Sequence, residues 1–334
     1  MRRRRTAAAL LAACLTAALT GCAGTDEPPA PEELGAAEPG DSPEPDAEPA
    51  GTVVELEPQA EGLAFDPVTD LLVATVREEN RLLLIDGATG RIEREVPLPG
   101  HARHLQLAAP GGPVLVPAED SDTLVLVSLP DGGTTEVEVG EYPHDAAQVE
   151  GGRILVADEL GGTLSVVEDD EVVQTFDSQR QPGGIAAVGP LAGVVDVGDF
   201  TLSTYDVVAG ELGDVLDAGE GPTHLVTDVR DRFLVADTRG DAILVFDADP
   251  LRLAGTYELP GTPYGVAHDD AAQVLWVTLT ARNEVVGLST AGEQPTEVAR
   301  FPTVRQPNTV AVDPDSGRVF VASRATGELQ LIDP

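Results

Sequence analysis

His104, His144 and His224 each fall one or two residues after a position that is alanine or proline at regular intervals along the chain. Neutral imidazole is a ligand for Zn²⁺ or Cu²⁺, and three such ligands leave an open coordination position. Glu61 and Asp145, beside the same column, supply a carboxylate of the kind that completes such sites. A metal reading therefore names His104, His144 and His224, with Glu61 or Asp145 as a further ligand. The remaining residues just after the column are Arg103, Thr223, Tyr264 and Asn308. Together these residues read as a ring able to hold a ligand. A second group is cationic: Arg77, Arg239, Arg282 and Arg324. Arginine binds carboxylates and other anions through two parallel N–H donors. The alternative for each arginine is pairing with an acidic neighbour on the same loop.

What positions these residues is a repeat. The alanine/proline column reads Ala60, Ala102, Pro143, Pro182, Pro222, Pro263 and Pro307. An apolar segment begins three positions on, at Leu63, Leu105, Ala146, Ile185, Leu225, Val266 and Val310. A second apolar segment follows in every unit, from Leu72-Val73 to Phe320-Val321, and then a third, from LLLID at 82–86 to LQLID at 329–333. A more polar fourth segment ends the first six units, as in Ile92 to Val96. Short β-branched and leucine-rich runs between turn formers are strands. Four antiparallel strands recurring every ~40–45 residues make a β-propeller blade. The expectation is an all-β, seven-bladed propeller of four-stranded antiparallel blades over residues 52–334. The seventh unit stops one strand short, and Thr52 to Leu56 is apolar and otherwise unassigned. That segment is expected to close the ring as the outer strand of the last blade.

Phe320-Val321-Ala322-Ser323 and the stretch LLLIDGATGR at 82–91 resemble the YVTN-type (YncE-like) propeller repeat, whose blades read roughly YVTN…VSVIDTATG. The resemblance covers residues 52–334 and implies the same propeller fold. It implies no shared chemistry, because that family includes surface, periplasmic and binding proteins. The column that is asparagine in the family reads Thr75, Ala118, Asp158, Val197, Asp237, Leu279 and Ser323 here.

In a four-stranded meander, the loops between strands 2 and 3 share an end with the blade-to-blade loops. The histidine ring and the arginine group belong to that end, around the mouth of the central channel. The opposite end carries turn formers such as Asp66-Pro67, Gly151-Gly152 and Asp313-Pro314.

The first 21 residues are a signal rather than fold. Arg2 to Arg5 form a basic head, and Thr6 to Leu19 an apolar run too short for a stable span. Leu19-Thr20-Gly21-Cys22 resembles a bacterial lipobox, which implies lipidation of Cys22 and export by the general or the twin-arginine route. Residues 22–51 then form an acidic, proline-rich tether, expected to be unfolded because it is charged and poor in apolar residues. With Cys14 lost in the signal and Cys22 lipidated, the body has no thiol for a disulfide or a nucleophile. The chain is expected on the extracytoplasmic face of the cell membrane, held by its lipid anchor as a monomer.

The chain has no lysine, and its formal net charge is −38. Such a surface repels nucleic acid. Lack of lysine excludes a phosphate-binding P-loop and Schiff-base chemistry. No HExxH, GxSxG or EF-hand motif is present, and no catalytic residue is assigned. Three readings remain: a non-catalytic module binding a small ligand or a protein at the channel mouth; a zinc- or copper-binding protein using the same face; and a lactonase- or lyase-like propeller enzyme.

Overall fold

The computed structural model describes residues 34–56, 59–177 and 180–334. The segment expected to be a signal, and Cys22, lie outside them. Seven four-stranded antiparallel sheets follow one another around a ring. Blade 1 comprises Ala60–Asp66, Leu71–Val76, Arg81–Asp86 and Ile92–Pro97. Blade 2 begins with the short pair Gln106–Leu107, and blades 3 to 6 begin at Pro143, Pro182, Pro222 and Pro263. Blade 7 contains Pro307–Val312, Val319–Ser323 and Glu328–Ile332. Its outer strand is Thr52–Glu55, paired antiparallel with Thr52 opposite Leu331 and Val54 opposite Leu329. The expected seven-bladed ring and its closure are both present.

The middle strands have buried side chains on both faces, because each sheet is covered by a neighbour on either side. Leu71–Val76 is buried at every position. Between blades 1 and 7, Leu72, Ala74, Leu83 and Ile85 pack against Phe320, Ala322, Leu329 and Leu331. Phe65 and Phe320 stack with centroids 5.4 Å apart. Burying each of these large side chains contributes about 1.5–3 kcal/mol. Between blades 4 and 5, Phe233 occupies the space a side chain at Gly193 would need: a Cβ there would lie 2.7 Å from the ring.

Two repeated features build the mouth. First, the residue that follows strand 2 is bonded back to the residue before the alanine/proline column. Arg77, Glu119, Glu159, Val197, Thr238, Thr280 and Arg324 donate their backbone N–H to the carbonyls of Gln59, His101, Tyr142, Gln181, Gly221, Thr262 and Gln306. Second, the inner strand loses register just after the column in blades 1 and 3 to 7, for example between Ala60 and Leu63 and between Pro222 and Leu225. Such bulges bend a strand and re-aim its side chains. Here they turn the residues after the column toward the channel mouth.

The described part of the segment expected as an unfolded tether lies against the propeller. Ala37 and Ser42 are buried, and residues 35–44 are bonded to loops of blades 5, 6 and 7. Its low hydrophobicity is offset by hydrogen bonds to its backbone, which composition does not report.

Candidate functional site at the channel mouth

The inner strands converge so closely that three blades carry glycine where they meet. A Cβ on Gly62, Gly184 or Gly265 would lie 2.9, 3.0 and 2.7 Å from the carbonyl oxygen of Arg103, Thr223 and Asn308 of the next blade. The equivalent position in blades 2 and 5 is His104 and His224. With the wall drawn in by the glycines, these two side chains reach each other. His104 Nε2 and His224 Nε2 are 3.2 Å apart. His144 packs on the other side of His104, with centroids 4.4 Å apart. Tyr264 meets His224 edge-on, also at 4.4 Å. Four rings from blades 3, 2, 5 and 6 thus form a bar at the mouth. Burial, and then the nearby charges of His144 and Arg103, push the His224 imidazole down to about 3. Burial and the neighbouring His144, His224 and Arg103 hold His104 well below the usual histidine range. Both rings are neutral at pH 7, so in their contact one donates and the other accepts. Burial raises the Tyr264 phenol, which stays protonated.

Beside the bar, one cation bridges two buried carboxylates. Arg103 Nε donates to Glu119 Oε1 at 2.6 Å and Nη2 to Glu159 Oε2 at 3.1 Å. The two carboxylates are 0 % and 8 % exposed. His144 Nδ1 lies 2.8 Å from Glu119 and 3.3 Å from Glu159, so that nitrogen carries the proton. His101 Nε2 approaches the other Glu119 oxygen at 2.6 Å, and Gln181 donates to Glu159 Oε1. Burial works to raise the Glu119 carboxyl. The hydrogen bond and charge of His144 and the charge of Arg103 overcome it and hold Glu119 at about 2.

On the neighbouring blade the pattern recurs with signs exchanged. Glu61 Oε1 accepts from Arg324 Nε at 2.8 Å and lies 3.9 Å from Arg77 Nη1. In each cluster a residue just after the column is straddled by two opposite charges that follow strand 2 of its own and an adjacent blade.

These walls enclose a cavity of about 640 Å³ along the channel. Glu61, Arg103, His104, His224, Tyr264 and Asn308 line its mouth, while Ala187, Val226, Val266 and Val312 line it further in. The volume lies in the range of small-molecule sites. His268, whose Nδ1 donates to Asp270 Oδ1 and whose Nε2 meets Thr290 Oγ1, stands toward the far end.

Of the residues expected around the mouth, Glu61, Arg103, His104, Asp145, His224, Tyr264 and Asn308 line the cavity. Asn308 accepts from Gln306 Nε2 at 3.0 Å. Asp145 serves a different purpose from the metal ligand first expected. Its oxygens accept N–H groups of Ile185, Ala146 and Gln106, which ties blades 2, 3 and 4 together. Burial nevertheless pushes its carboxyl up to about 6. Thr223 is buried, its Oγ1 2.6 Å from Thr238 Oγ1, and the cavity walls do not include it. The four arginines divide: Arg77 and Arg324 share Glu61, Arg239 donates to the carbonyls of Glu220 and Gly35, and Arg282 is exposed.

The metal question has a geometric answer. Among the described residues, the His, Cys, Asp or Glu group with ligand atoms mutually within 4.8 Å is Glu119, His144 and Glu159. The three histidines expected as ligands share a stack of rings but are not such a group. The Arg103 guanidinium already bridges both carboxylates, so a divalent ion there must displace it. The His104–His224 pair is the more open arrangement: two neutral nitrogens 3.2 Å apart suit two ligands of one ion with Zn–N bonds of ~2.0–2.1 Å.

Glu119 and Glu159 are the functional residues that sequence reasoning missed. A signal for them exists. Read as a column, the positions after strand 2 place glutamates beside Arg103 and arginines beside Glu61.

No family model matches the chain, and no curated protein matches it in sequence. Solved structures match it in fold. Hydrazine synthase of Kuenenia stuttgartiensis is 17% identical, with a TM-score of 0.71 over 84% of this chain and 97% of that one. A streptogramin B lyase is 16% identical at 0.71, covering 84% and 97%. Virginiamycin B lyase from Staphylococcus aureus is 15% identical at 0.71, covering 85% and 99%. The chain is a seven-bladed β-propeller. Identities this low establish its architecture alone.

Proposed function

We propose that this propeller is a non-catalytic binding protein that takes a small polar ligand in its channel-mouth cavity. One observation carries the reading: polar side chains at the mouth are held in place before any ligand arrives. Arg103 is fixed by two carboxylates and Glu61 by two arginines, and His104 and His224 hold each other. Such preorganisation lowers the ordering cost of binding, and apolar walls behind it supply area. The Cys22 lipobox supports an extracytoplasmic, membrane-anchored setting, and the LLLIDGATGR stretch supports kinship with YVTN-type repeats.

The test is a thermal-shift screen of the purified chain against a panel of amino acids, short carboxylic acids and monosaccharides. A binder that raises Tm in the parent chain is expected to lose its effect in Glu61→Gln or His224→Phe. Shifts that persist in both variants place binding elsewhere and overturn the reading. Anchoring is checked separately: incorporation of an alkyne-tagged fatty acid should vanish in Cys22→Ser.

A second reading rests on the facing Nε2 atoms of His104 and His224, which favour a zinc or copper ion bridging the mouth. It predicts that Zn²⁺ raises Tm in the parent chain and in Glu119→Gln, but not in His224→Phe. Equal response of all three removes it. The fold likeness to two lyases leaves an enzymatic reading without a residue to carry it.

A further inference from the structure

The acidic segment ahead of the closing strand does not leave the propeller by the shortest route. Blade 7 is complete with Thr52–Glu55, yet the preceding residues run inward over the mouth face, across blades 7, 6 and 5. Side chains of all three blades grip this segment by its backbone. Thr280 Oγ1 accepts the Gly40 N–H at 2.8 Å, and Gln306 Oε1 accepts the Ser42 N–H at 2.9 Å. Gln306 Nε2 donates to the Gly40 carbonyl at 2.9 Å, and Asn283 Nδ2 to that of Pro43 at 3.0 Å. Arg239 donates to the Gly35 carbonyl at 3.0 Å. The Ser42 hydroxyl donates to the Thr280 carbonyl and accepts the Gln306 N–H. Ala37 is buried beside Gly221, where any side chain would collide with it: a Cβ would lie 2.9 Å away. The groove is shaped for this segment.

Between Ala37 and Gly40 the strap passes the cavity, and Glu38 forms part of the cavity wall together with Tyr264 and Arg324. Only Ala37 and Ser42 of the strap are buried, while Gly35, Glu38 and Asp41 are not. Segments that order many residues for a few hydrogen bonds and little apolar burial open more readily than the sheets beneath them.

We propose that residues 35–44 are a lid, seated in a groove of blades 5, 6 and 7, that covers the histidine side of the mouth and lifts to admit the ligand. The inference rests on the mouth being the binding site, but its test uses no ligand. Ser42→Pro removes an N–H and a hydroxyl from the strap without touching a propeller strand. Gln306→Ala removes the partner from the groove side.

Hydrogen exchange on the full chain reads seating. The Gly40 and Ser42 amides should exchange at least about tenfold more slowly than in an isolated peptide of residues 34–51. Gly40 protection should be lost in Ser42→Pro, and protection of both amides in Gln306→Ala. Site-resolved labelling with diethylpyrocarbonate reads covering. His104 and His224, neutral and reactive, should label about tenfold faster in both variants, with His268 at the far end unchanged. Peptide-like exchange in the parent chain overturns the seated strap. Protection with identical His104 and His224 labelling in all three chains overturns the lid. A chain that passes both tests yet responds to no ligand would sink the binding reading and leave the lid intact.

Discussion

His104 and His224 come from blades 2 and 5 and meet with their Nε2 atoms 3.2 Å apart at the channel mouth. Both are neutral at pH 7, and the contact holds only one proton between the two nitrogens. A histidine whose folded pKa lies below its unfolded value contributes stability above the unfolded value and loses it as pH falls.

The window for His224 therefore runs from about 6.5 down to about 3. The unfolded chain takes up a proton there and the folded chain does not. Between pH 7 and pH 4.5 the His224 contribution to stability, read from urea midpoints, should fall by an amount of the order of a few kcal/mol. His224→Phe should flatten this acid limb. Asp145 works in the opposite direction: its carboxyl, raised to about 6, favours the folded state as pH falls through that value. An unchanged slope in His224→Phe would count against the neutral pair.

Arg103 should be the most costly mouth residue to truncate. Arg103→Met leaves Glu119 and Glu159 buried with one charge partner fewer, and breaking such a pair costs about 3–5 kcal/mol. Arg103→Lys offers a point charge instead of a fork, and should recover only part of the loss. Chemical denaturation at pH 7 measures both. Glu119→Gln combined with Arg103→Met should cost less than the sum of the single changes, because one of the two orphaned charges is gone.

Asp145→Asn should destabilise although it removes a buried charge. Both Asp145 oxygens accept N–H donors, so an amide nitrogen on either side faces a donor. A cost of about 1–3 kcal/mol is expected, read as a lowered urea midpoint at pH 7. Loss of the blade 2–4 tie should also speed exchange of the Ile185 amide.

Ring closure can be tested at Val54. It pairs with Leu329 and packs against the cluster shared by blades 1 and 7. Val54→Asp removes that burial and adds a charge on the apolar edge, a loss of about 2–3 kcal/mol. Exposed Val53 on the other face should tolerate the same change, since its side chain leaves nothing uncovered. Equal thermal shifts for the two would mean the strand contributes only backbone pairing.

The seven blades were legible in the sequence because strand spacing, turn formers and the alanine/proline column all carry one period. The same period located the mouth, since a meander fixes which loops share an end. Closure by Thr52–Glu55 followed from a missing strand and a spare one. What the period could not carry is distance across the ring. That His104 meets His224 depends on Gly62, Gly184 and Gly265 drawing the inner strands together, and on bulges that re-aim the side chains. That Asp145 ties blades 2, 3 and 4, and that Glu119 and Glu159 enclose Arg103, depends on which partners converge from different blades. That residues 35–44 lie on the mouth depends on acceptors and donors contributed by Thr280, Asn283 and Gln306, none of which alters the composition of the strap itself. Local pattern determined the blades; closing them into a ring decided which side chains meet, because that brings together residues of different blades, up to 120 positions apart for His104 and His224.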